Sequence, residues 1–435
     1  MLEHLKLENV GPAPTMKLDL ASRVNLITGD NGLGKSFLLD VVWWALTRRW
    51  PQDVNRRMNS GLSARPRDRA RKATIAFGLT SKTKRVDYTS TYSPRDEAWT
   101  GKAGRPWNPG LVIYAHADGS FSVWDPARNY WKKKGNIDIQ ERLPAYVFTE
   151  AEVWNGLKAE IDGESVPVCN GLLYDWASWI RGRDANAAAM ESALRALSPT
   201  ADPGGALRPG PLLRLSVNDA RDIPSLETTY AGAVPILHAS SGVRRVTALS
   251  YMLTWSWSEH RIAAEQLGEE PASQVVMLFD EVESHLHPRW QRVILKALRD
   301  LVGVLHGQAS VQLIVATHSP LVLASAEPWF DPRKDRWFDL DLEGEPPEVR
   351  LRRREYTPHG SAGYWLTSEA FDLATDRGSI EAERAILRAR DLLRQKEPEL
   401  DQVMEVHREL RAALPDVDRF WVRWNAFVER CGGHP

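Results

Sequence analysis

Cysteine is almost absent from this 435-residue chain: Cys169 and Cys431 are the only two, far apart and without metal-ligand spacing. That excludes a disulfide-stapled scaffold and a cysteine zinc site, and it suits a reducing compartment. Long apolar runs are missing too. None approaches the roughly 18 residues of a membrane-spanning helix. The opening stretch, Met1 to Val10, alternates polar and apolar residues like a strand and lacks the apolar block of a signal peptide. A soluble, cytoplasmic protein with no membrane partner is expected. Charge of one sign is also lacking: 56 Lys+Arg stand against 57 Asp+Glu, a formal charge of -1. Any nucleic-acid surface must therefore be a local patch. No internal repeat is visible, no heptad run is long enough for an extended coiled coil, and no Asn-Lys-x-Asp base-reading motif of a GTPase occurs.

What is present begins with a core: 43% of the residues are hydrophobic, and the length allows two or three domains or one large domain with insertions. The most informative stretch is Gly29-Asp30-Asn31-Gly32-Leu33-Gly34-Lys35-Ser36, which fits the phosphate-loop pattern G-x-x-x-x-G-K-[ST] at every required position. Val24 to Ile27 before it reads as a short buried strand, and Phe37 to Leu46 after it reads as a helix. The glycines let the backbone wrap a phosphate chain, so that amide hydrogens and the positive end of the helix face its charge. Lys35 is placed to reach the β- and γ-phosphates of a nucleotide, and Ser36 to hold Mg²⁺.

Three later stretches complete the set. His238-Ala239-Ser240-Ser241-Gly242-Val243-Arg244-Arg245 opens a helix whose apolar face runs Val246, Leu249, Leu253 and Trp257. Its Ser-Ser-Gly is either a phosphate-binding helix start or an ordinary serine cap. Val275 to Phe279 is an apolar run of the parallel-strand type, ending in Asp280 and Glu281. An aspartate there orders Mg²⁺ in a P-loop enzyme, and Glu281 can polarise the attacking water. Finally, Val311 to Ala316 leads into Thr317-His318-Ser319-Pro320, where His318 can contact the γ-phosphate or simply be satisfied by backbone groups. His285 and His287 are metal-ligand types, but no third well-spaced ligand accompanies them.

In this order the four stretches resemble the ABC-type ATPases of the SMC-like and OLD-like branch, in particular the stand-alone AAA-annotated ATPases of bacterial anti-phage defence systems of the Septu and retron-associated type. The resemblance covers about residues 1 to 50 and 235 to 325. It implies that Gly29 to Ser36 is the Walker A loop, Asp280 the Walker B aspartate, Glu281 the catalytic glutamate, His318 the switch histidine and Ser240 to Gly242 the signature. It also implies ATP and Mg²⁺ as cofactors. Because the signature of one subunit caps the nucleotide of the other in such families, a head-to-tail homodimer, or a larger oligomer built from such dimers, is implied. Glu283 to His287 falls where the D-loop runs. Ala239 and Ser241 stand where the family has leucine and a second glycine. OLD-type nucleases carry a further domain with acidic metal ligands; Asp339-Leu340-Asp341 offers an Asp-x-Asp but alternates like an ordinary strand. The biological setting so implied is a defence ATPase acting with a separate effector such as a nuclease; the alternative is an ATP-gated DNA-binding or repair ATPase without a toxic effector.

The expected fold is α/β, an ABC-type P-loop ATPase head with an antiparallel β lobe, an inserted helical arm and a C-terminal helical appendage. Residues 1 to 52 form the first part of the core, 53 to 145 an antiparallel insertion lobe, 146 to 236 a helical arm, 237 to 330 the second part of the core, and 331 to 435 a mixed, then helical region. Within the lobe, Arg65 to Lys72 is the sharpest basic run, a grip for a DNA or RNA backbone or a solvated loop. Trp99, Trp107, Trp124 and Trp131 are stacking platforms or, in a chain with 18 tryptophans, packing residues. Gln140 lies in the interval of a Q-loop without a telling context. The C-terminal helices read first as an appendage packed on the core, with docking of a partner protein as a secondary role for exposed Trp421 and Trp424.

Overall fold

In the computed structural model, all residues are described except 82–83, 102–106, 131–141, 162, 200–204, 230, 306–308 and 435, with the side chains of 302–305 also left aside. Trp131 and Gln140 lie outside the described residues. The chain divides into two compact units, Met1–Pro358 and His359–Pro435.

The first unit is built on an eight-stranded sheet whose five middle strands are parallel. From one edge the order is Glu348–Arg354, Asp335–Glu343, Val24–Gly29, Ser310–Ala316, Gln274–Phe279, Leu111–Ala115, Phe121–Trp124 and Tyr146–Phe148. The edge strands pair antiparallel. The apolar runs explain the arrangement, because a strand that is hydrophobic on both sides must be covered on both faces. Val24, Leu26, Ile27, Val275 to Phe279 and Leu313 to Ala316 are all buried.

One cover is the helix Lys35–Thr47, which buries nearly its whole circumference. On its far side lies a five-stranded antiparallel sheet, ordered Thr15–Asp19, Leu2–Glu8, Thr74–Ser81, Lys84–Ser93, Ala98–Trp99. The helix is thus the filling between two sheets: Trp43, Trp44, Phe77, Val276 and Ile314 belong to one core cluster. The described tryptophans of this region pack rather than offer platforms. Trp107 and Trp124 are buried, and Trp99 is half-buried against Trp44 and Tyr92.

The antiparallel stretch expected over 53 to 145 is divided between the two sheets. Thr74–Ser93 joins the N-terminal strands, whereas the hairpin Leu111–Ala115 and Phe121–Trp124 belongs to the main sheet. The reason is burial: every residue of Leu111–Ala115 is covered, while Lys84–Ser93 keeps one side open. Tyr146–Phe148 is likewise a strand of the main sheet. The rest of 150–236 holds helices Leu172–Gly182 and Ala185–Ala196 with two small antiparallel sheets.

The second unit contains helices Ile380–Arg394, Leu400–Ala413 and Phe420–Arg430, packed through Ile386, Ala389, Val403, Val406 and Leu410. Trp421 and Trp424 are buried in that cluster, at 7% and 0% exposure. The exposure that the secondary docking role required of them is therefore corrected: both lie on the helix face that packs into this cluster. Both cysteines are free, and among the described residues no helix is long and apolar enough to cross a membrane.

Candidate functional site

The phosphate loop follows the strand Val24–Gly29 and has to turn sharply into a helix. Gly29 adopts φ 133°, and a Cβ there would stand 2.3 Å from the Leu340 carbonyl oxygen of the neighbouring strand. Gly34 has φ 106°, and its Cβ would meet Pro12 Cγ at 2.7 Å. Neither position accepts a side chain. Leu33 is buried and pins the loop, whereas Asp30, Asn31, Gly32 and Ser36 face solvent. Gly34 caps the helix without a side chain, so the first amides remain open toward the loop.

Lys35 is buried and bends over its own loop, its Nζ donating to the carbonyls of Gly29 at 2.7 Å and Asp30 at 2.9 Å. Burial pulls its pKa down, against Asp280, Glu281, Asp30 and Glu283, which raise it. One cation therefore faces four acids.

Asp280 and Glu281 leave the strand Gln274–Phe279 two strands away. Asp280 is 4% exposed, and burial pushes its pKa up to about 6, opposed by a hydrogen bond from the Ser36 hydroxyl. Its Oδ1 is buried with no hydrogen-bond partner. An orphaned carboxylate oxygen beside a serine hydroxyl suits a hard, oxygen-seeking cation, so the residues fit Mg²⁺. Among the described residues no group of three or more His, Cys, Asp or Glu could hold a metal on its own. His287 instead caps a short helix, its Nδ1 accepting from the Arg289 amide.

Glu281 sits in the left-handed region at φ 48°, unusual for a residue with a Cβ. Its Oε1 lies 3.8 Å from His318 Nε2, at the end of the intervening strand Ser310–Ala316. Burial, then Lys35, lowers the His318 pKa, which favours the neutral imidazole. Lys35, Ser36, Asp280, Glu281 and His318 thus gather at the carboxyl ends of three adjacent parallel strands. Ser240 and Ser241 are exposed at the start of the 26-residue helix Ser241–Gln266, whose N-cap has no side-chain hydrogen bond. Among the described residues, Ser240 to Gly242 form no hydrogen bond or ion pair with the phosphate loop. Gly242 packs against the loop after Glu281 instead: a Cβ there would lie 2.7 Å from the His285 carbonyl oxygen.

Several site residues escape a reading of the sequence. Asp40, on the phosphate-loop helix, accepts from the Tyr114 hydroxyl at 3.0 Å, and burial pushes its pKa up to about 8. His116, at the end of Leu111–Ala115, is buried with Nε2 2.9 Å from Ser122 Oγ and its pKa driven down to about 3 by burial; Arg245 donates to its carbonyl at 2.6 Å. No local pattern marks Asp40, whose partner Tyr114 is 74 residues away, or the tie of Arg245 to the His116 carbonyl across 129 residues. Asp339 accepts from Thr28 Oγ1 at 2.7 Å and pairs with Arg354 at 3.2 Å, so this acid of the Asp-x-Asp is engaged inside the sheet.

A "Retron Vc95 probable ATPase" of Vibrio cholerae serotype O1 biovar El Tor is 40% identical over 50 residues, 12% of this chain and 9% of that protein, so the chain spans only a small part of this relative's length. Among solved structures, an SMC head bound to the C-winged helix domain of ScpA covers 81% of this chain and 98% of its own, with 14% identity and a TM-score of 0.42. The recombination mediator RecF of the RecFOR pathway covers 80% and 98%, with 12% identity and a TM-score of 0.37. Residues 24–324, more than half of the chain, match the family described as "AAA domain, putative AbiEii toxin, Type IV TA system". The chain is a member of this AAA_21 family of ATPase domains.

Proposed function

We propose that the chain is an ATP-binding and hydrolysing switch of ABC type, the cytoplasmic regulatory ATPase of a bacterial anti-phage defence system that acts through a separate effector such as a nuclease. One observation carries the enzymatic part: Lys35, Ser36, Asp280, Glu281 and His318 converge at the ends of three adjacent strands, with Asp280 Oδ1 left unpartnered. The open amides of the loop and Lys35 bind the β- and γ-phosphates. Ser36 and Asp280 would hold Mg²⁺, which when bound would neutralise charge on the phosphates. Glu281 takes the proton of the attacking water, and the neutral His318 orients the γ-phosphate. The defence setting is supported by the 50-residue likeness to the retron ATPase.

The exposed Ser240 and Ser241, with uncapped amides behind them, cap the nucleotide of a second copy in a head-to-tail homodimer. Donors supplied only on closure make hydrolysis depend on assembly. Light scattering of the purified protein, with and without Mg-ATP, tests this for wild type and Glu281→Gln. Growth in size with ATP, retained by Glu281→Gln, is expected; a persistent monomer with full ATPase activity overturns the dimer.

A second reading, ATP-gated binding of DNA or RNA, is favoured by the setting of the basic run. Asn9, at φ 55°, donates to the carbonyls of Asp68 and Arg71 and accepts from the Asp68 amide. The loop is therefore held as a frame beside a cavity of about 330 Å³ lined by Arg65, Arg69, Arg71, Lys72 and Tyr92. Among the described residues, Arg65 and Arg69 have no acidic partner. Gly11 and Pro12 of the same turn touch Phe37 and Gly34 at the phosphate loop, which gives the frame a route to the nucleotide. A DNA affinity that falls steeply with salt, and loses slope when Arg65, Arg67, Arg69 and Arg71 become Ala, favours this reading. Binding without salt dependence removes it.

A further inference from the structure

The loop between the two acids and the following helix is unusually constrained. Ser284 N donates to Glu281 O at 2.8 Å and Leu286 N to Glu283 O at 2.9 Å, with Glu281 and His285 both left-handed, at φ 48° and 62°. Inside this double turn, Glu283 directs its carboxylate away from solvent and across to the next strand end. Oε2 accepts from the Thr317 hydroxyl at 2.8 Å and Oε1 from the His318 amide at 2.5 Å. A second tie runs in parallel: Gln291 donates to Leu286 O at 2.8 Å and accepts from the Ser319 hydroxyl at 2.7 Å. Three consecutive residues, Thr317 to Ser319, are thus fastened to one loop by two side chains.

We infer that Glu283, seconded by Gln291, is a positioning residue for ATP hydrolysis, fixing the His318 backbone so that the imidazole faces Glu281 and the γ-phosphate. The inference rests on the ATPase reading above. It assigns Glu283 no contact with the reacting atoms: both carboxylate oxygens are occupied by the switch segment. A carboxylate suits the task because both donors need an acceptor, and an ionised acid offers two where an amide offers one. Burial raises the Glu283 pKa, and the His318 amide, its own amide and the Thr317 hydroxyl oppose that rise. The loop also touches the start of the signature helix through His285 and Gly242. A displacement at that helix start therefore reaches His318 through a few bonded atoms.

The test uses the full chain and compares Glu283→Ala, Glu283→Gln, Gln291→Ala, His318→Ala and the double variant Glu283→Ala/His318→Ala, each first checked for a wild-type melting transition. Steady-state hydrolysis of Mg-ATP gives kcat and KM. Because a misplacement of about 1 Å costs roughly 100-fold in rate, Glu283→Ala is expected to lower kcat by that order. KM is expected to stay within about threefold, since the phosphate loop is untouched. The double variant is expected to be no slower than His318→Ala alone, because residues acting through one group are not additive. Glu283→Gln, which keeps the shape and one acceptor, lies between wild type and Glu283→Ala, and decides the matter by its kcat and KM if the alanine variant does not fold. Losses that multiply in the double variant overturn the inference, as does a kcat for Glu283→Gln equal to wild type. If His318→Ala turns over like wild type, the switch assignment itself fails; if His318→Ala is slow and Glu283→Ala is not, only the positioning role fails.

Discussion

The two sheets of the first unit dispose of their polar residues in opposite ways. In the main sheet, Val24–Gly29, Ser310–Ala316 and Gln274–Phe279 are mostly apolar, interior polar residues such as Asn25 and Gln312 are buried, and the polar groups that face solvent come at or beyond the strand ends. In the antiparallel sheet, Leu5, Leu7, Met16 and Leu18 point inward, while Lys6, Glu8, Lys17 and Asp19 alternate with them and pair on the open face. A sheet covered on both faces has room for chemistry only beyond the ends of its strands, whereas one with a wet face spreads charge along its whole length.

The sharpest way to test that difference is at a strand end. Glu281→Gln is expected to lower ATP hydrolysis by roughly 10²- to 10⁴-fold while leaving the melting temperature unchanged, measured by phosphate release and calorimetry. A strongly shifted melting temperature would make Glu281 part of the scaffold. Next in size is the inward face of the antiparallel sheet. Phe77 is fully buried, 5.2 Å from the Trp107 ring and 6.2 Å from Trp44. Phe77→Ala is expected to cost about 3–5 kcal/mol in denaturant unfolding.

Asp40 offers a smaller effect of opposite sign, because it is a carboxyl group held inside the covered layer. Its pKa is raised to about 8 in the fold, above the ordinary carboxylate value, so folding takes up a proton between about pH 4 and 8. Stability is lost as pH rises through that window. Asp40→Asn keeps an acceptor for the Tyr114 hydroxyl and removes the titration, so its melting temperature is expected to exceed wild type at pH 8 and to approach it at pH 4. An unchanged slope of stability against pH would show that Asp40 ionises freely. The smallest effect belongs to the wet face. Lys6→Ala and Lys17→Ala, each breaking an exposed pair, are expected to change stability by no more than about 0.5 kcal/mol. A loss of 2 kcal/mol at either would erase the contrast between the sheets.

Much of the main sheet was legible because its strands carry their signal locally. Largely apolar runs ending in Gly-rich, Asp-Glu or Thr-His-Ser segments mark the strand, and the residues proposed for the chemistry stand at its tip. Leu111–Ala115 is apolar throughout, but its neighbour in space, Gln274–Phe279, lies far downstream in sequence. Pairings of that kind have no local mark. The same holds for Asp40 with Tyr114 and for Glu283 with His318, whose meaning comes from a partner on another strand. Trp421 and Trp424 were ambiguous for a different reason. Large aromatics on a short amphipathic helix suit a core and a docking face equally well until the neighbouring helices are in place.

The strand Asp335–Glu343 lies beyond the family-matched segment, which ends at residue 324. It nevertheless pairs with the phosphate-loop strand from Val24 opposite Asp335 to Gly29 opposite Leu340, and Asp335 binds Arg23 at 2.5 Å. A chain cut at residue 324 would keep every sequence motif of the nucleotide site. Its phosphate-loop strand would then be a sheet edge, with backbone amides and carbonyls open to any passing strand, and the wall behind Gly29 would be gone. The shortest piece able to cradle a nucleotide is therefore longer than the shortest piece that advertises one.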